Sequence, residues 1–334
     1  MTDVFDIGRL VDAKERGAQY LVGRQREDGI IGDPAGGLGC YYKAPWALAA
    51  SGRAAEGARV VAWIRRNMLS SEGDLTSEGE VGRGKQFDRV YAYPNAWIIC
   101  GAQKLGQFDV AARGIEFLTM LQHSETGGFR TQLADPESPQ DVMSACQAGA
   151  AALYTGRIEV ARGVGRFLKR VWDEQPDTEH ALYFMLRPDR GLITEFPADR
   201  ASRAVVRADE ELQRYFQMGI AAAFLTKLSL ATNEPEHLEL AASYLDLAFR
   251  CTDGMYTTAQ VGKVGWGAAL LYGATGDERI GGLAARVAEA LLQQQNSDGS
   301  WYNTGGYSAD AVTDEITAEF VAILDEMIQG LSSA

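Results

Sequence analysis

The chain has 334 residues, 46% of them hydrophobic, and carries a formal net charge of −13. That charge makes nucleic acid and anionic membranes poor partners, and no run of about 18 apolar residues offers a membrane span. Residues 1–10 carry acids and no apolar stretch, so no secretory leader is expected. The four cysteines, none in a Cys-x-x-Cys spacing, are then expected to be reduced in a cytoplasmic protein.

Ile7–Arg24 opens the chain as an amphipathic helix. It runs into the turn Gln25-Arg26-Glu27-Asp28-Gly29-Ile30-Ile31. Ala44–Ala50 follows, dense in alanine and poor in charge. Residues 54–70 are amphipathic again, with Val60, Val61, Trp63, Ile64 and Met68 at helical spacing. The alternation continues. Residues 93–105, Val142–Tyr154, 216–231 and 261–272 are apolar on nearly all sides and read as inner helices. Residues 108–122, 157–172, 236–250 and 277–294 are amphipathic and read as outer ones. Residues 313–329 form a last inner helix without an outer partner, as Ile7–Arg24 is an outer helix without an inner one. The two complete a sixth pair, which a closed ring needs and an open array does not.

Residues 181–186 and 191–196 flank Arg187-Pro188-Asp189-Arg190, which predicts a β-hairpin inserted near 181–211. The expected architecture is therefore all-α, an (α/α)6 toroid forming one domain over 1–334, with the N-terminal helix closing the ring.

The first turn has a close copy, Gln295-Asn296-Ser297-Asp298-Gly299-Ser300-Trp301, and weaker ones around Asp253-Gly254, Gly73-Asp74 and Gly127-Gly128. These turns resemble the Gln/Trp repeats of squalene–hopene cyclases and related triterpene cyclases, which share the α/α toroid with protein prenyltransferase β-subunits. The resemblance implies fold more than activity, because toroids host many chemistries. The Asp-x-Asp-Asp and Asp-Asp-x-x-Asp motifs of those families are missing. The nearest acidic cluster, Asp310 with Asp314 and Glu315, has a different spacing. The chain is also similar in general style to linalool dehydratase-isomerase, a metal-free toroid enzyme.

In a toroid the site lies at one end of the axis, where the inner helices begin. Candidate catalytic residues there are Tyr41, Lys43, Asp88, Cys146, Lys263 and Glu315. Candidate substrate-binding residues are Tyr42, Trp46, Tyr93, Asn95, Gln147, Tyr215, Gln217 and Trp266. Tyrosine, carboxylate and lysine transfer protons once burial shifts their pKa. Lysine inside an apolar helix needs a partner or a task. Asp88, Asp141 and Asp314 also suit helix N-caps, and Cys146 also suits a buried apolar position. Only three histidines, His123, His180 and His237, occur, and they are scattered, so no metal and no cofactor are expected. The expected partner is a small molecule bearing an anionic or strongly polar group. Association into a homo-oligomer is left open. Two functions fit: a metal-free lyase or isomerase on a small, terpenoid-like substrate, or a carbohydrate-active enzyme using paired carboxylates. A non-catalytic helical scaffold is the third reading.

Overall fold

A computed structural model describes residues 5–76, 90–197, 204–302 and 313–333. Among them the outer helices are α1 (Ile7–Arg24), α3 (Ala54–Asn67), α5 (Phe108–Thr119), α7 (Ile158–Asp173), α9 (Glu236–Asp246) and α11 (Glu278–Gln294). The inner helices are α2 (Ala44–Ala50), α4 (Ala92–Lys104), α6 (Val142–Tyr154), α8 (Phe216–Thr232), α10 (Gly262–Thr275) and α12 (Thr313–Ser332). Each inner helix packs on the next, and α12 packs on α2, so the ring closes as an (α/α)6 toroid. In chain order outer and inner helices alternate. All inner helices therefore point the same way, and their N-termini gather at one mouth.

The inner layer is built from small residues because the ring is narrow. A Cβ on Gly219 in α8 would lie 1.9 Å from the Lys263 carbonyl oxygen, and one on Gly267 in α10 would lie 2.3 Å from that of Gly219. The two backbones touch there, which no larger residue allows. Apolar rings fill the interior, Trp46, Trp97, Trp301 and Phe320 among them, all fully buried.

The recurring turn has a structural cause. Gln25 caps α1, and its side-chain amide donates to Gly29 O and to Glu56 O in α3, both at 2.9 Å. Gln122 does the same to Gly127 O and to Val160 O in α7, both at 2.9 Å. Gln295 reaches Gly299 O at 2.9 Å and Ala13 O in α1 at 2.8 Å. Each glutamine thus fastens its own turn to the next outer helix. The glycine of the turn presses on that helix too. Gly29 has φ +113° and lies so close to the Arg59 carbonyl that a Cβ would come within 2.6 Å of its oxygen. Such a backbone, in such a space, admits only glycine.

The last copy of this turn fastens the end of the chain to its beginning. Trp301 donates its indole N–H to Leu291 O at 2.9 Å and its backbone N–H to Thr317 Oγ1 at 3.0 Å. Gly17 of α1 lies where a Cβ would come within 2.8 Å of both Trp301 and Val321. Lys14 pairs with Asp325 at 2.8 Å, and Tyr20 and Arg24 both bond Asp314. Ile7–Arg24 thus packs against the final helix, as ring closure requires.

The insertion is less simple than one hairpin. Residues 185–187 (β3) do pair antiparallel with residues 191–192 (β4), but residues 181–183 (β2) pair with residues 205–207 (β5) instead. Buried Phe184 is the switch: its N–H donates to Ala204 O and its carbonyl accepts from Val142 N. β3 also pairs with residues 140–141 (β1), which ties the insertion to the start of α6. The outer helix expected over 236–250 ends at Asp246 and finishes in a 3-10 turn, Leu247–Phe249. Val261 likewise belongs to a 3-10 turn before α10.

Candidate functional site

Two lysines and two glutamates meet on the axis at the mouth. Lys43 sits at the N-cap of α2 and Lys263 in the first turn of α10. Glu315 and Glu319 stand one turn apart on α12, so both point the same way. Lys43 Nζ donates to Glu315 Oε1 at 2.7 Å and to Glu319 Oε2 at 2.5 Å. Lys263 Nζ donates to the other oxygen of Glu319, and the Tyr42 hydroxyl donates to Glu315 Oε1. Aromatic rings enclose the ammonium groups. Lys43 Nζ lies 5.0 Å from the centre of Tyr42, 6.0 Å from Tyr93 and 5.8 Å from Trp97; Lys263 Nζ lies 5.3 Å from Phe216. Both lysines are buried, 3% and 4% exposed, so solvent screens them little and their charges interact strongly.

The network splits the two lysines. Burial lowers the pKa of both. At Lys43 the two glutamates outweigh it and push the group well above the ordinary lysine range. Lys263 has a share in one carboxylate only and is repelled by Lys43, so burial wins and its pKa falls to about 8. Burial raises Glu319 less than the two lysines lower it, and its carboxyl comes down to about 2. Burial, then Glu315, drives Tyr42 far above the ordinary phenol value. Burial likewise raises Tyr93. At neutral pH the mouth thus holds a permanent cation, a permanent carboxylate, neutral phenols and one amine near its titration point.

A second polar cluster lies further along the axis. Glu326 of α12 accepts from Lys227 Nζ at 2.8 Å, Tyr154 OH at 3.0 Å and the Trp266 indole at 2.5 Å. Lys104 lies over the Tyr154 ring at 4.7 Å and over Trp46 at 5.3 Å. Trp46 connects the clusters, 4.8 Å from Trp97 and 6.3 Å from Trp266 between ring centres. Its indole N–H and the side-chain carbonyl of Gln147 are buried and have no partner among the described residues.

The expected site residues therefore divide. Tyr42, Lys43, Tyr93, Lys263 and Glu315 come together at the mouth, with Trp46 and Trp266 deeper along the axis. Asp88 lies outside the described residues. Tyr41 turns toward the outer layer, its ring centre 5.2 Å from that of Trp63 in α3 and tilted against it. Asn95 fastens a turn instead, taking a hydrogen bond from Leu75 N at 2.8 Å and donating to Asp74 at 3.0 Å. The Cys146 thiol is raised by burial and senses the charge of Asp141. It also lies near the outer-layer Tyr244. A protonated thiol so placed is a packing group. Gln147 Nε2 reaches Cys100 Sγ at 3.9 Å. Tyr215 OH donates to Glu210 O at 3.1 Å and steadies the insertion. Gln217 is buried in the first turn of α8. Asp141 is an N-cap, accepting from Ser144 N at 2.7 Å. Sequence reasoning noticed Glu319 only as a neighbour of Glu315 and missed Glu326, Lys227 and Tyr154. The signal was available: positions 315, 319 and 326 share one face of a helix that is otherwise rich in apolar residues.

A separate hollow of about 500 Å³ opens off the axis, lined by Arg26, Asp28, Trp63, Arg66 and Met68. None of the residues of the mouth lines it. Among the described residues no three His, Cys, Asp or Glu side chains are grouped to hold a metal ion. None of the described helices is long and apolar enough to cross a membrane.

No protein-family model and no curated protein matches the chain. Solved structures do. A D-mannose isomerase aligns with TM-score 0.69 at 13% identity, over 98% of this chain and 99% of that one. A cellobiose 2-epimerase from Spirochaeta thermophila aligns with TM-score 0.66 at 11% identity, over 100% and 99%. A type II terpene cyclase from Scytonema, in complex with geranylgeranyl dihydroxybenzoate, aligns with TM-score 0.61 at 11% identity, over 98% and 99%. At these identities the likeness establishes the fold: the chain is an α/α toroid, similar along its whole length to a sugar isomerase, a sugar epimerase and a terpene cyclase.

Proposed function

We propose that the chain is an enzyme of the lyase or isomerase type, moving a proton on a small organic molecule at the mouth of the ring. The observation that carries this reading is the pair of buried lysines on one carboxylate, whose surroundings push their pKa values in opposite directions. Groups whose surroundings push their pKa values apart take separate acid and base roles. Lys263, near its titration point at neutral pH, takes and returns the proton. Lys43 stays charged and holds an oxygen as negative charge develops on it. Glu319 fixes both ammonium groups, and the neutral phenols of Tyr42 and Tyr93 supply further donors. The apolar body of the substrate would lie against Trp97, Trp46 and Trp266.

Carbohydrate chemistry is the second reading, favoured by the sugar-processing enzymes among the similar structures. The mouth suits its isomerase branch better than its hydrolytic one. Glu315 and Glu319 accept from the same ammonium group at 2.7 and 2.5 Å. They stand on one helix face, whereas glycosidase carboxylates flank the bond they cleave.

The test is deuterium uptake from heavy water into D-mannose, cellobiose and a monoterpene alcohol, followed by mass spectrometry. Uptake into one class by the wild type, lowered tenfold or more (about 1.4 kcal/mol in the barrier) in Lys43→Met and Lys263→Met, is the expected result. Uptake unchanged in both folded variants would end the reading.

A further inference from the structure

We infer that Lys263 is a covalent amine nucleophile, which forms an imine with an aldehyde or ketone that has a hydrogen on the neighbouring carbon. This rests on the proton-transfer reading above and names the substrate class for the same site.

The lysines among the described residues differ in their surroundings, and the difference singles out one. Lys169 is 61% exposed and pairs with Asp173 of its own helix, and Lys104 is exposed. Lys14 and Lys227 each hold a carboxylate near the surface, with side chains 18% and 17% exposed. Lys43 is buried but holds two carboxylates. Lys263 is buried and, among the described residues, pairs with Glu319 alone, which Lys43 already shares. Its other neighbour is the face of Phe216. A lysine in an apolar site beside a second cation is the arrangement that frees an amine lone pair at neutral pH. Its pKa of about 8 agrees with that placement. The charged groups facing it are Glu319 and Glu315 of α12 and Lys43 ahead of α2. The backbone is fixed as well, because Gly219 lies flat against the Lys263 carbonyl.

The step balances without an oxidant or reductant. The Nζ lone pair forms a bond to the carbonyl carbon while the C=O π pair moves to oxygen. The Lys43 ammonium holds that oxygen by a hydrogen bond and stays charged, while Glu319 takes a proton from the new C–N nitrogen and hands it to the oxygen. The hydroxyl then leaves as water with one further proton, drawn from solvent, and a protonated imine remains. Its positive nitrogen acidifies the neighbouring C–H, which is the proton an isomerase or lyase must move. Hydrolysis of the imine returns the amine. An open-chain sugar carries such a carbonyl group, so the class covers the second reading also.

The experiment treats the full chain with pyruvate, or with cyclohexanone as an uncharged probe, together with cyanoborohydride, and maps the modified lysine by peptide mass. Lys263 should be labelled at least tenfold faster than Lys169, with a rate that climbs about tenfold per pH unit up to roughly pH 8 and then levels. The label should vanish in Lys263→Met and in Lys263→Arg, which keeps the charge and cannot form an imine. Labelling of Lys263 no faster than that of Lys169 with both probes, or a label spread evenly over surface lysines, would overturn the proposal. Deuterium uptake that still depends on Lys263 would then leave the proton-transfer reading standing and remove only the covalent step.

Discussion

Replacing Lys263 by methionine should change how stability depends on alkali, and the size of the change can be worked out. A lysine whose folded pKa lies below its ordinary value is protonated in the unfolded chain over a range where it is neutral in the folded one. For Lys263 that range runs from about 8 to 10.5. The unfolded chain binds more protons there, so the contribution of Lys263 to stability rises with pH. At about 1.4 kcal/mol per pH unit the full gap is worth about 3 kcal/mol, of which about 1 kcal/mol falls between pH 8 and 9. Other groups oppose it. Burial raises the thiols of Cys40 and Cys100, to about 11 and about 12, and raises the buried tyrosines. These groups ionise more readily when unfolded, so they remove stability as pH climbs above 9. They are present in both proteins, so the difference between wild type and Lys263→Met isolates the lysine. Lys43 and Glu319 titrate outside this window. Urea unfolding followed by tryptophan fluorescence, at fixed ionic strength and at pH 8, 9 and 10, gives that difference. It should move in favour of the wild type by about 1 kcal/mol in the first step and continue in the same direction. A constant difference across the three values would refute the account of Lys263 as a buried, half-compensated amine.

Other variants test the ring itself. Trp301→Ala removes the indole that joins α11, α12 and α1 and should cost about 3–5 kcal/mol, read as a lowered urea midpoint. Gly219→Ala forces a methyl group against the Lys263 carbonyl and should destabilise by at least about 1–3 kcal/mol while reducing turnover, because α8 and α10 must move apart. Gln25→Ala leaves the carbonyls of Gly29 and Glu56 without their donor, a loss of about 1–3 kcal/mol measurable by calorimetry, with no direct effect on the mouth.

The ring was legible because its geometry constrains composition. Inner helices must be small and apolar, so the runs at 142–154 and 216–231 stand out from their amphipathic neighbours. The unpaired first and last helices announced closure. The insertion was harder, since pairing across residues 181–207 depends on where Phe184 is buried, which alternation along one strand does not encode. At the mouth, position alone found Lys43, Lys263 and Glu315, because all inner helices start at one end. Position could not say which way each side chain turns. Tyr41 and Tyr42 are adjacent, yet one faces α3 and the other bonds Glu315. Asn95 and Cys146 stand at suitable heights on their helices and face other neighbours. Glu326 and Lys227 escaped notice because they lie past the helix starts, and only the ring brings them onto the same axis.

One helix, α12, both closes the circle and supplies the glutamates of the mouth. The seam between α1 and α12 is therefore also the support of the cluster at the mouth. Heat or a mutation that loosens this seam would displace Glu315 and Glu319 before the other repeats come apart. Lys43 and Lys263 would be left facing each other across a gap. Inactivation on warming should then precede the loss of helical signal, and the distance between those two temperatures would report how firmly the first and last helices are clasped.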